Sequence, residues 1–213
     1  MKKYIIEFIG TFFLVLTVAF TGNPIAIAAI LVSMIYMGGY ISGAHYNPAV
    51  TLAVLVRGKI TILDAVVYWV VQILAALCAA LLYFTVTGKY FIPAPDIQTP
   101  FQTAILMEAL FTFALATVVL HVATADETQG NQYYGLAIGF VILAGAFAGG
   151  LSGGAYNPAV GVGPLLANIS NIGVRMQSVW IYLIGPLSGG LLAGILFRLL
   201  NLHSLSKEEK PKK

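Results

Sequence analysis

The stretch SGAHYNPAVT at residues 42–51 returns as SGGAYNPAVG at residues 152–161, 110 positions further on. Asn-Pro interrupts a helix but begins one well. Asn is a favoured N-cap, and Pro suits the first helical position because its missing N–H would have no partner there. The two phrases therefore predict two helix starts, over Pro48–Arg57 and Pro158–Asn168. At ~1.5 Å rise per residue each reaches only ~15 Å, half of a ~30 Å hydrocarbon core.

That comparison matters because the flanks are membrane-like. Of 213 residues 59% are hydrophobic and 9% charged, against roughly 25% charged in soluble domains. Residues 8–56 and 65–88 carry no Lys, Arg, Asp or Glu. Six segments reach spanning length: residues 4–21, 24–41, 64–87, 101–121, 133–149 and 177–200. The first has the basic start of a signal peptide, but Glu7 interrupts it and no small-residue cleavage site follows, so it is read as a retained span. Irregular backbone such as SGAHY and SGGAY is tolerated at membrane depth only where it is buried or lines a water-filled cavity. Each half-helix should dip in and return.

The chain also repeats beyond the motif. EFIGTFFLVLTV from Glu7 aligns with EALFTFALATVV from Glu108. Each half, about residues 4–88 and 101–200, holds three spans and one half-helix. Three is odd, so the second half enters from the opposite side, giving inverted repeats in a single membrane domain over residues 1–213. Lys2, Lys3, Arg57, Lys59, Arg198, Lys207, Lys210, Lys212 and Lys213 fall on one side of this layout, and only Lys89 and Arg175 on the other. The positive-inside rule then places both termini, with the charged tail 203–213, in the cytoplasm.

Two half-helices entering from opposite faces bring Asn47 and Asn157 together near the midplane. Each helix N-terminus presents unpaired N–H groups and about half a positive charge, so cations are repelled. The amides donate to a passing neutral solute. A water accepting from both must point its hydrogens outward, which disfavours proton transfer along a file.

With Glu7 and Glu108 in the first helix of each repeat, the paired motifs resemble the major intrinsic protein (aquaporin) family over residues 3–200. The resemblance implies an all-α membrane fold, a right-handed bundle of six helices and two re-entrant half-helices in two inverted repeats. It further implies a homotetramer with one pore per subunit. The motif residues would be Asn47, Pro48, Ala49, Asn157, Pro158 and Ala159. Glu7 and Glu108 would accept hydrogen bonds from the re-entrant loops rather than carry protons. His45 would support the first loop, with pH gating as its second reading.

One departure from the family stands out. The second motif usually continues with an arginine, whereas residue 160 is Val. Counting back from each Asn without gaps gives the other constriction positions as Ile27, Gly145 and Gly154. Losing a guanidinium removes five donors and a fixed charge. The constriction should be wide and apolar, passing water and small neutral solutes such as glycerol, urea, ammonia or hydrogen peroxide. Phe147, Tyr156 and Arg175 are the residues placed to refill the gap.

The only cysteine, Cys78, excludes an intramolecular disulfide and cysteine-rich metal patterns. No Ser-His-Asp set or phosphate loop is present, so no enzyme, cofactor, metal or nucleic-acid partner is expected; water, neutral solutes and the lipid bilayer are. Short loops favour a plasma membrane. A coupled secondary transporter and a closed-pore structural or adhesive protein are the alternatives.

Overall fold

The structure is a computed structural model that describes residues 1–169 and 176–201. Arg175 and the tail 203–213 lie outside them. Among the described residues, eight α-helices run in order: α1 (Lys2–Thr21), α2 (Pro24–Ser42), α3 (Pro48–Arg57), α4 (Ile62–Thr87), α5 (Phe101–Ala123), α6 (Tyr134–Ala148), α7 (Pro158–Ala167) and α8 (Met176–Leu200). α1, α2, α4, α5 and α8 are long and apolar enough to span a membrane, as is α6 together with the 3-10 turn Gly149–Leu151 at its end. α3 and α7 have ten residues each. Every expected helix is present, with ends within two residues of the sequence reading.

Local chemistry sets those ends. Three helices begin at Asn-Pro: the Oδ1 atoms of Asn23, Asn47 and Asn157 accept from backbone N–H groups in the first turns of α2, α3 and α7. Thr61 caps α4 by accepting from the Asp64 N–H. Left-handed glycines at 22, 43, 58 and 88 end α1 to α4.

Contacts between helices come in matched pairs. α1 packs on α2 and α4 as α5 packs on α6 and α8, and each half-helix lies along a long helix of the other repeat, α3 on α8 and α7 on α4. One end of the bundle, termed the terminus end, gathers the starts of α1 and α4 and the ends of α3, α5 and α8. There Lys3 Nζ lies 2.8 Å from Asp64 Oδ2, the Arg57 guanidinium lies over Phe197, and the His121 ring meets Phe197 edge-on.

Small residues permit the closest approaches. A Cβ on Gly189 would sit 2.3 Å from the Ala109 carbonyl oxygen of α5, and one on Gly190 would sit 2.3 Å from the Ala49 carbonyl oxygen at the start of α3. Both obstacles are backbone and cannot rotate away. Gly190→Ala is therefore expected to push α3 off α8, costing about 1–3 kcal/mol, read as a lower Tm in detergent. Gly150, by contrast, faces open space, so Gly150→Ala should leave Tm unchanged.

Candidate functional site

The loops 43–46 and 153–156 carry the half-helices to the centre. Each bends through left-handed residues: Ala44 (φ 51°) and Tyr46 (φ 49°) in the first, Gly154 (φ 63°) and Tyr156 (φ 49°) in the second. Left-handed backbone costs a non-glycine residue roughly 1–2 kcal/mol, and two buried glutamates offset it. Glu7 Oε1 accepts from the Ser42 hydroxyl (2.7 Å) and the His45 N–H (2.9 Å), while Oε2 accepts from the Tyr46 N–H (2.7 Å) and Gln72 Nε2 (2.9 Å). Glu108 repeats this with Ser152 (2.8 Å), the Ala155 N–H (3.0 Å) and the Tyr156 N–H. Both acids are fully buried. Tyrosines complete the frame, with Tyr68 donating to the Ser42 carbonyl and Tyr182 to the Ser152 carbonyl.

The half-helices meet head to head through their asparagines. Asn47 Nδ2 donates to the Tyr156 carbonyl and Asn157 Nδ2 to the Tyr46 carbonyl, both at 2.9 Å, while each Oδ1 caps its own helix through Ala49 or Ala159. Each amide thus spends one of its two N–H donors on the opposite loop. One N–H per amide remains, fewer than free amides would offer. Pro48, Ala49, Pro158 and Ala159 are buried beside them.

A cavity of about 60 Å³ runs past this junction. A water needs roughly 10–15 Å³, so a short file fits. Asn47, Asn157, His45 and the backbone of the two loops supply the polar lining. The remainder is apolar: Leu14 and Val18 from α1, Leu115 and Val119 from α5, Ile27, Leu31 and Ile35 from α2, and Val50 and Val160 from the half-helices.

Of the four residues counted as constriction positions, the cavity is lined by Ile27, Gly154 and Val160 but not by Gly145. Gly145 is buried behind Tyr156, which donates its hydroxyl to the Gly145 carbonyl, and a Cβ there would meet the Tyr156 ring at 2.9 Å. The α6 wall is instead Ile138, Ile142 and Ala146. These follow one helical face at i, i+4 and i+8. Counting back from Asn157 misses that face by one residue because the count crosses the 3-10 turn and the irregular loop. Gly154 also matches left-handed Ala44 of the first repeat, so its backbone favours glycine independently of the space it leaves.

Neither described bulky neighbour refills the place of an arginine with a charge. Phe147 is 69% exposed and lies outside the lining, while Tyr156 is wall, its ring against Phe111 and its hydroxyl already bonded. Sequence reading missed the greasy walls, although the repeat carries them: Leu14 and Val18 follow Glu7 at the spacing by which Leu115 and Val119 follow Glu108. It also missed Gln72 and Thr51, which meet Glu7 and His45 only through the tertiary fold.

Comparison with known proteins agrees with this geometry. The sequence model described as "Major intrinsic protein" matches residues 1–197. Aquaporin TIP2-3 of Zea mays is 35% identical over 220 residues, covering 92% of this chain and 86% of that protein. Aquaporin NIP1-4 of Oryza sativa subsp. japonica is 31% identical over 218 residues, covering 95% and 78%. The solved structure of the aquaglyceroporin from Plasmodium falciparum superposes with a TM-score of 0.78 at 20% identity, covering 96% of this chain and 99% of that one, a likeness of fold. With six apolar spans around two head-to-head half-helices, the chain belongs to the major intrinsic protein family of aquaporin channels.

Proposed function

We propose that this chain is a passive channel for water and small neutral solutes, and no enzyme. The observation that carries the reading is the cavity-lining junction at which Asn47 and Asn157 each keep one N–H for a passing solute, between walls that offer almost no other side-chain donor. Water crosses by exchanging neighbours in the file, and the paired helix N-termini repel cations.

On the side away from the terminus end, Val160, Ile27, Ala146 and Gly154 line an apolar section of the cavity with no charged group among them, and this section serves as the constriction. Selection there rests on width rather than on matched donors, so urea, glycerol, ammonia and hydrogen peroxide pass with water. The basic residues at the terminus end support a cytoplasmic location for that end, in a plasma membrane. The resemblance to the family supports assembly as a homotetramer with one pore per subunit. The inverted repeats over 4–88 and 101–200 then act as one channel domain.

Reconstituted protein tests the constriction directly. In vesicles given an inward urea or glycerol gradient, rapid shrinkage should be followed by rapid reswelling as solute enters, traced by light scattering. Shrinkage without reswelling beyond that of protein-free vesicles would sink the wide-constriction reading and leave a water-only pore.

A further inference from the structure

His45 lines the half of the lumen on the terminus side; the residue is 8% exposed and its ring is set edge-on to Tyr68. Its Nδ1 lies 3.1 Å from Thr51 Oγ1, while Nε2 has no protein partner among the described residues. Thr51 Oγ1 lies at the centre of a small network: 3.0 Å from the Asn47 carbonyl, 3.2 Å from Gln72 Nε2, and within reach of His45. Gln72 Nε2 also donates to Glu7 Oε2 at 2.9 Å. Turning that carboxamide over would set its oxygen against the glutamate oxygen, so the donor end faces Thr51.

A hydroxyl has one hydrogen and two lone pairs. Gln72 takes one lone pair. If the hydrogen goes to the Asn47 carbonyl, the second lone pair is free to accept from His45 Nδ1–H, and every capacity of Thr51 is used. If the hydrogen goes to His45 instead, the network loses one bond. The first arrangement fixes the proton on Nδ1 and leaves Nε2 as a bare lone pair toward the lumen. The second repeat has none of this: Ala155 and Gly161 stand at the positions matching His45 and Thr51, and Pro186 matches Gln72 when Tyr68 is aligned with Tyr182.

We propose that Thr51, anchored by Gln72, is a positioning residue that holds His45 as the Nδ1–H tautomer, making Nε2 a fixed acceptor subsite for neutral O–H or N–H donors in the terminus-side half of the pore. This rests on the channel reading above and deepens it. Waters leaving the Asn47–Asn157 junction on that side point their hydrogens away from it, so an acceptor there continues the orientation and a donor would reverse it. The clamp also closes a proton relay. A proton taken up at Nε2 would have to be released from Nδ1 to Thr51, whose own hydrogen ends on a backbone carbonyl with no onward path. With no charged group at the opposite constriction among the described residues, this half of the pore takes a larger share of proton exclusion.

The test is the ring itself, read by nitrogen NMR on ¹⁵N-histidine-labelled full-length protein in lipid vesicles, with His45→Gln assigning the signal among the three histidines. In the unaltered protein His45 should show a protonated Nδ1 and an unprotonated Nε2. Thr51→Val should move the tautomer ratio about fivefold toward Nε2–H, the loss of one hydrogen bond, and raise proton leak relative to water flux severalfold. Thr51→Ser, which keeps the hydroxyl, should restore both. A protonated Nε2 in the unaltered protein, or a Thr51→Val spectrum and leak identical to it, would overturn the proposal. The tautomer is read without flux, so its failure leaves the channel reading standing, and water flux on the same vesicles tests that reading separately.

Discussion

Glu108→Leu is expected to yield no assembled channel. The leucine leaves the Ser152 hydroxyl and the Ala155 and Tyr156 N–H groups buried without their acceptor. At about 1–3 kcal/mol for each orphaned donor, the loss is on the order of 3–9 kcal/mol, comparable with the roughly 5–15 kcal/mol that holds a typical domain together. The left-handed turn at Tyr156 would also lose the bond that offsets its strain. Size-exclusion profiles in detergent should show aggregate, and vesicles should show no osmotic water flux above background. Glu108→Gln keeps one acceptor oxygen and sets an amide against the remaining donors, so it should fold with a lowered Tm and reduced flux. The graded order Glu, Gln, Leu is the diagnostic. A proton-coupled transporter would give a different pattern, in which Glu108→Gln keeps full stability and loses only accumulation against a gradient.

The second large effect is expected from Val160→Arg. Val160 lies in the third position of α7, 4% exposed, and lines the lumen together with Ile27 and Ala146. A guanidinium there supplies five donors and a permanent charge beside Ile27, Ala146 and Gly154, whose side chains offer neither. It narrows this apolar section and must keep water around it, since burying an unpaired charge is costly. Urea and glycerol influx should fall about tenfold, equivalent to roughly 1.4 kcal/mol of added barrier, with water flux falling much less. The comparison is the ratio of reswelling to shrinkage rates in the same vesicles. An unchanged ratio would place the limiting section elsewhere, at the Asn47–Asn157 junction.

The parts of this molecule legible in its sequence are those written locally. Asn-Pro starts helices, so the beginnings of α3 and α7 are legible from two residues each, whereas the Thr61 cap of α4 and the left-handed glycines that end α1 to α4 show only in the structure. The half-length of α3 and α7 came from counting apolar residues after each Asn-Pro. The pairing of Glu7 with Glu108 was visible because the duplication keeps them in register, and both do receive loop N–H donors.

What stayed hidden depended on phase or on distant partners. The lumen face of α6 follows helical periodicity from Ile138 to Ala146, whereas the path back from Asn157 crosses backbone of another pitch and ends on Gly145, outside the lining. The reciprocal asparagine bonds join residues about one repeat apart, and nothing near Asn47 signals that half of its donor capacity is spent. Gln72 reads as one polar residue in a 26-residue apolar helix. Only the approach of α4 to α1 and α3 turns it into the link between Glu7 and Thr51.

Conduction through the junction of the two half-helices is the central claim. The most direct measurement is stopped-flow light scattering of vesicles holding the purified protein under a sucrose gradient, with a pH-sensitive dye inside. Shrinkage far faster than that of protein-free vesicles, with proton flux at the protein-free level, is the predicted result. Shrinkage no faster than in protein-free vesicles, with the protein shown to be folded and inserted, would contradict it, as would rapid proton flux accompanying the water.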